Sequence, residues 1–150
     1  MTCKYEDSEE EEGKRFRAEN EKLLEAFSEW LSAKGLSDST IRRHRENMEF
    51  YLNHFLLYMD AEKAASGIAL VDGFLGWWFI SKAAWATRAS IKSNAASLKK
   101  FYTFMYEKGE VEKDDLDLLK HDIREYMPEW LSTLQRYDDP DVDLEDVWDI

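Results

Sequence analysis

The stretch SIKSNAASLKKFYTFMYEKG, residues 90–109, decides how this chain folds. Ile91, Leu98, Phe101, Tyr102 and Met105 recur at three- and four-residue steps, the spacing that gathers side chains on one face of an α-helix. Thr87 stands ahead of the stretch as an N-cap, and Gly109 closes it. At ~100° per residue, Arg88, Lys92, Lys99 and Thr103 fall within about 60° of one another on a different face, with Lys100 and Ser93 at its edge. The stretch holds four lysines and one glutamate, in a chain whose formal charge is −12. An acidic protein that keeps one basic helical face raises the question of what that face meets.

Similar patterns lie on either side. A first helix is expected from about Arg17 to Lys34, where Phe16, Leu23, Leu24, Phe27, Trp30 and Leu31 share a face with one polar exception, Asn20. Gly35 ends it. Ser37 caps a second helix, with Ile41, His44, Met48, Tyr51, Leu52 and Phe55 on one side and an end near Met59. A third, about Val71 to Ala83, is apolar nearly all round and belongs at the centre. The fourth is the opening stretch. A fifth region starts near Lys113 and is buried through Leu116, Leu119 and Ile123. Pro128 suits the first position of a helix better than its interior, so this region is expected to split into 113–126 and 128–136. A shift of 50 residues lays the second helix on the fourth: Ile41 on Ile91, Met48 on Leu98, Tyr51 on Phe101 and Leu52 on Tyr102. The reading is an all-α protein, a four-helix bundle of two helical hairpins with an additional C-terminal helical extension.

Composition agrees with that class. The 150 residues suit one domain, and only six Gly and two Pro interrupt them, which favours long helices over many short strands. The most apolar segment, 67–86, is broken by Asp72 and Lys82, so it falls short of the ~20 residues a membrane helix needs. The N-terminus lacks the apolar core of a signal peptide, and the single Cys3 excludes an internal disulfide framework. A cytoplasmic protein with a free surface thiol is expected, making no membrane contact. Charge is uneven: +5 over residues 81–108 and −11 over 109–150. Residues 1–13, with the run EDSEEEEG, read as a disordered acidic tail. Residues 14–112 form the main helical domain, 113–136 the extension, and 137–150 a second acidic tail.

Three stretches together resemble a known family. FSEWLSAKGLSDSTIRRHRENMEFYLNHFL (27–56), VDGFLGWWF (71–79) and SIKSNAASLKKFYTFMYEKGEV (90–111) are similar to the N-terminal core-binding domain of tyrosine recombinases, the phage-integrase SAM-like domain. The likeness rests on Leu31-x-x-x-Gly35-Leu36-Ser37, on Ser37-x-x-Thr40-Ile41-Arg42-Arg43, on Ser90-Ile91-Lys92, on Leu98-Lys99-Lys100-Phe101-Tyr102, and on the exit Lys108-Gly109-Glu110-Val111. It covers about residues 17–112. The resemblance implies a SAM-like bundle that clamps one side of double-stranded DNA, with the second and fourth helices facing the duplex. The implied nucleic-acid-binding residues are Thr40, Arg42, Arg43 and Arg45, then Thr87, Arg88, Ser90, Lys92, Ser93, Lys99 and Lys100. Asn94 is a further candidate for reading sequence. The pattern departs from the family after Val111, where the usual Asn-Pro is missing and an acidic helical region follows.

The family's chemistry needs arginines, a histidine and a tyrosine nucleophile in one pocket, supplied by a separate catalytic domain. Here His121-Asp122-Ile123-Arg124 spells His-x-x-Arg, with Tyr126 and Tyr137 following. The preceding arginine and the scaffold are missing, so His121 and Arg124 are expected as surface residues. His44 is expected as a packed, hydrogen-bonded core histidine, and His54 as a surface one. No catalytic residue, cofactor or metal site is assigned. Two functions follow as expectations. One is a non-catalytic DNA-binding domain related to site-specific recombination and DNA integration. The other is a protein-interaction module that kept the fold and uses its acidic C-terminal region, residues 137–150, for a protein partner or for self-association, with Val142, Leu144, Val147 and Trp148 as anchors. A variant of the second has residues 137–150 cover the basic face.

Overall fold

Gly35 and Gly109 end their helices by one device. Each adopts a positive φ, 85° and 81°, which costs glycine little. Leu36 N–H returns to the Leu31 carbonyl and Gly35 N–H to Ser32; Glu110 N–H returns to Met105 and Gly109 N–H to Tyr106. These paired bonds satisfy carbonyls that the helix end leaves open. The computed structural model describes residues 4–58 and 61–138, with side chains from residue 10 to 137. Its helices are α1 (Lys4–Ala33), α2 (Asp38–Glu49), α4 (Arg88–Glu107) and α5 (Lys113–Asp138). Between α2 and α4, the segments Val71–Gly73, Phe74–Trp78 and Phe79–Lys82 run on as one helical stretch, α3. The fold is all-α, with no strand among the described residues.

Three expectations are corrected. The acidic run expected as a disordered tail is helical from Lys4 onward. Glutamate is a good helix former, and acids near a helix N-terminus complement its dipole. The proposed break at Pro128 does not occur: α5 passes through it. Proline forgoes the bond back to Arg124, but Ile123 on one side and Trp130, Leu131 and Leu134 on the other are all buried. Trp130 also donates its indole N–H to Asp72 Oδ1 at 2.8 Å. The third correction concerns Trp77, which lies on the helix expected to be apolar nearly all round but is 48% exposed. Cys3 and everything from Asp139 on, including Val142, Leu144, Val147 and Trp148, lie outside the described residues.

The core joins all five helices. Phe27 of α1 meets Phe101 of α4 edge-on at 5.2 Å. Tyr51 meets Phe74 at 4.8 Å. Both aromatic-rich stretches, Phe50–Phe55 after α2 and Phe74–Trp78 within α3, take the wider π-helical turn. There Phe50, Phe55, Phe74 and Trp78 pack on one another at 5.0–6.2 Å. α5 lies against both α4 and α3, and its Leu116, Leu119 and Ile123 belong to the same core. The helix expected as a C-terminal extension shares this core through the three residues expected on its buried side.

Polar groups inside the bundle are matched across helices. Asn20, the exception on the apolar face of α1, is buried and donates to Asn53 Oδ1 at 2.9 Å. The fifty-residue correspondence extends to a polar pair, His44 and Asn94, both buried. His44 Nδ1 lies 2.7 Å from Ser97 Oγ, and Asn47 donates to Ser97 and Ser93 at 2.9 and 3.1 Å. These contacts fix α4 against α2. They also fix which face of α4 points outward.

Candidate nucleic-acid interface

The start of α4 is set by a reciprocal cap. Thr87 has extended backbone (φ −136°, ψ 169°), and its hydroxyl accepts the Ser90 N–H at 3.0 Å. Thr87 N–H in turn donates to Ser90 Oγ at 2.7 Å. Two orphan donors are satisfied, so both hydroxyls named as candidate phosphate ligands are engaged in holding the helix end. Arg88 and Lys92 then project from the first turns and are exposed, as is Lys99 two turns on.

The structure gathers these three along one wall of a cleft of about 960 Å³ between α4 and α5. The opposite wall carries Lys120 and Arg124, one helical turn apart. Ile123, Met127 and Leu131, buried or half-buried, form an aliphatic floor, the exposed Pro128 adds to the apolar lining, and Ser132 and Gln135 continue the α5 wall. No carboxylate lines the cleft among the described residues. Most described acids of α5 turn away from it: at 100° per residue, Asp115, Asp122, Glu125 and Glu129 stand about 140–180° from Lys120 and Asp114 about 120°, whereas the exposed Asp117 stands about 60° from it, one turn before that wall begins. Asp115 and Asp122 line a separate small hollow beside Asp72.

Among the described residues the ion pairs are Arg15 with Glu12 and Arg45 with Glu21. None of the five cleft cations is in such a pair. Five like charges on facing walls above an apolar floor raise a positive potential that an anionic ligand would relieve. Lys99 also borders a second cleft of about 390 Å³, shared with Lys34, Lys100, Trp30 and Thr103. There the Lys34 ammonium lies 4.8 Å from the Trp30 ring centroid, a cation–π contact. Lys100 thus faces α1, and Lys99 stands between the two clefts.

The α2 residues are arranged differently. Arg42 and Arg43 are exposed, but so are Glu46 and Glu49 on the same helix. Arg45 is held by Glu21 of α1. Thr40 accepts a hydrogen bond from Ser37 at 2.9 Å within the α2 cap. Ser93 is half-buried and receives Asn47. Asn94 is buried and donates to the Ser90 carbonyl at 2.8 Å, so it turns inward rather than towards a ligand. His44 sits beneath this surface. Burial, then the charges of Lys100 and Arg43, lower its pKa from the usual 6.5, so the ring is neutral at pH 7.

His121, Arg124 and Tyr126 are exposed on α5. Arg124 belongs to the cleft wall. No cluster of three or more His, Cys, Asp or Glu able to hold a metal exists among the described residues, and no described helix is long and apolar enough to cross a membrane. Lys120 and Arg124 were absent from the residues expected at the site. Their signal was present as cations four apart, flanking Ile123 and in register with Met127 and Leu131, but the acidic total of the region conceals it. Comparison with protein-family models, curated proteins and solved structures finds no match to this chain.

Proposed function

We propose that this chain is a non-catalytic DNA-binding module of the core-binding type its sequence resembles. The observation that carries the reading is the outward face of α4. Arg88, Lys92 and Lys99 stand exposed in line, without a carboxylate partner among the described residues, in a protein of net charge −12. Exposed cations in a row suit a phosphate backbone, where contacts position the protein and release counterions. Lys100 extends the row towards α1. Arg42 and Arg43 are secondary contacts, because neighbouring glutamates offset their field. Thr87 and Ser90 serve by holding the helix start rather than by direct bonding.

The overall negative charge lowers non-specific affinity, so binding is modest and strongly salt-dependent. Fluorescence anisotropy of a labelled duplex at about 50 and 200 mM salt tests it. Four phosphate contacts give a log–log slope near −3.6. The triple variant K92E/K99E/K100E is expected to lose saturable binding; unchanged binding in that variant would sink the reading.

A further inference from the structure

The proposed DNA contact leaves the floor of the α4–α5 cleft unused. Phosphates need donors, and a duplex lying across α4 has no use for Ile123, Met127 and Leu131 in the cleft lining. A groove with cations at its rims and aliphatic groups at its base fits a different chemistry: an extended acidic segment that carries apolar side chains at short intervals. Such a segment stands in this chain. Residues 139–150 read DPDVDLEDVWDI, six carboxylates interleaved with Val142, Leu144, Val147 and Trp148.

We infer that residues 139–150 dock in the α4–α5 cleft of their own chain, with their carboxylates on Lys92, Lys99, Lys120 and Arg124 and their apolar side chains on the floor. Charge complementarity supports it: the segment holds no cation, and the cleft's described lining holds no carboxylate. Reach supports it as well. The described part of α5 reaches Asp138, and Gln135 on the cleft wall is less than one turn earlier. Lys120, at the far end, is roughly 27 Å back along the helix, whereas twelve extended residues span about 40 Å. Asp139-Pro140 favours leaving the helix where the return must begin. The docking stands on the cleft alone. Its consequence, that the segment competes with DNA for Lys92 and Lys99, rests on the function proposed above.

Zero-length carbodiimide crosslinking of the full chain at high dilution, mapped by mass spectrometry, tests the docking. Intramolecular links from residues 139–149 are expected at Lys92, Lys99 and Lys120, not at the exposed Lys22 and Lys63, which lie outside the cleft lining. In the full-length variant L144S/W148S every carboxylate remains but the two largest of the four anchors are gone, and the links should fall about tenfold. Links spread evenly over all lysines, unchanged in the variant, or found only between two copies would overturn the docking. DNA anisotropy on the same variant is the second arm. Tighter binding than wild type is expected. Links as expected with unchanged DNA affinity would leave the docking in place and count against competition at this face.

Discussion

A methyl group on Gly67 would stand 2.5 Å from the Tyr102 hydroxyl and 2.7 Å from a Leu56 methyl. The crowding arises because two buried tyrosines converge there. Tyr51 donates to the Gly67 carbonyl at 2.6 Å, and Tyr102 donates to the Ala64 carbonyl at 2.7 Å. Burial pushes both phenols above their usual pKa, so they remain donors across the ordinary pH range. The short turn Ala65–Ala69 and the residue before it are therefore tied to the Phe50–Phe55 stretch and to α4 at once. Gly67→Ala forces either the backbone or a tyrosine to move. Urea unfolding should show a loss of about 1–3 kcal/mol, the range for overpacking a filled site. A change under about 0.5 kcal/mol, typical of surface substitutions, would mean that the turn yields freely. Nothing in the spacing of the sequence announces this glycine, because the atoms that crowd it come from positions 11 to 35 residues away.

At the scale of helices, local signals were the legible ones. Ser37 and Thr87 cap where their side chains and extended backbones predict, and Gly35 and Gly109 terminate, because each device involves only residues a few positions apart. Pro128 was misread for the opposite reason. Its preference for a helix start is local, whereas the anchors that carry α5 through it are tertiary: Ile123 before it, then Trp130 held by Asp72. The two arrangements separate experimentally. As the first residue of a new helix, Pro128 is favourable, and Pro128→Ala would be neutral or harmful. Inside a continuous helix, proline costs roughly 3 kcal/mol through the lost bond and the clash with the preceding turn. Pro128→Ala should therefore raise stability by about 1–3 kcal/mol in urea titration, since part of that cost is offset by proline's stiffening of the unfolded chain. A destabilised variant would restore the break.

Charge acts on the whole molecule, and here the candidate site was half legible. The α4 wall was visible because its cations recur within one helical face of a basic segment. The α5 wall was not, because summing 109–150 to −11 averages Lys120 and Arg124 with the six acids of 139–150 and with acids mostly on other faces of the same helix. The distinction between total and local charge yields a direct test. The variants K92E/K99E and R42E/R43E each reverse two cations, so each moves the net charge from −12 to −16. If long-range repulsion by an acidic protein governs DNA affinity, both lose equally. If α4 lies on the phosphates, K92E/K99E loses most of the binding and its salt slope flattens by about 1.8, two contacts' worth of counterion release. R42E/R43E should keep most of both, because Glu46 and Glu49 already offset those arginines and residues 37–58 carry no net charge. Equal losses in the two variants, measured by anisotropy across a salt series, would move the interface off α4.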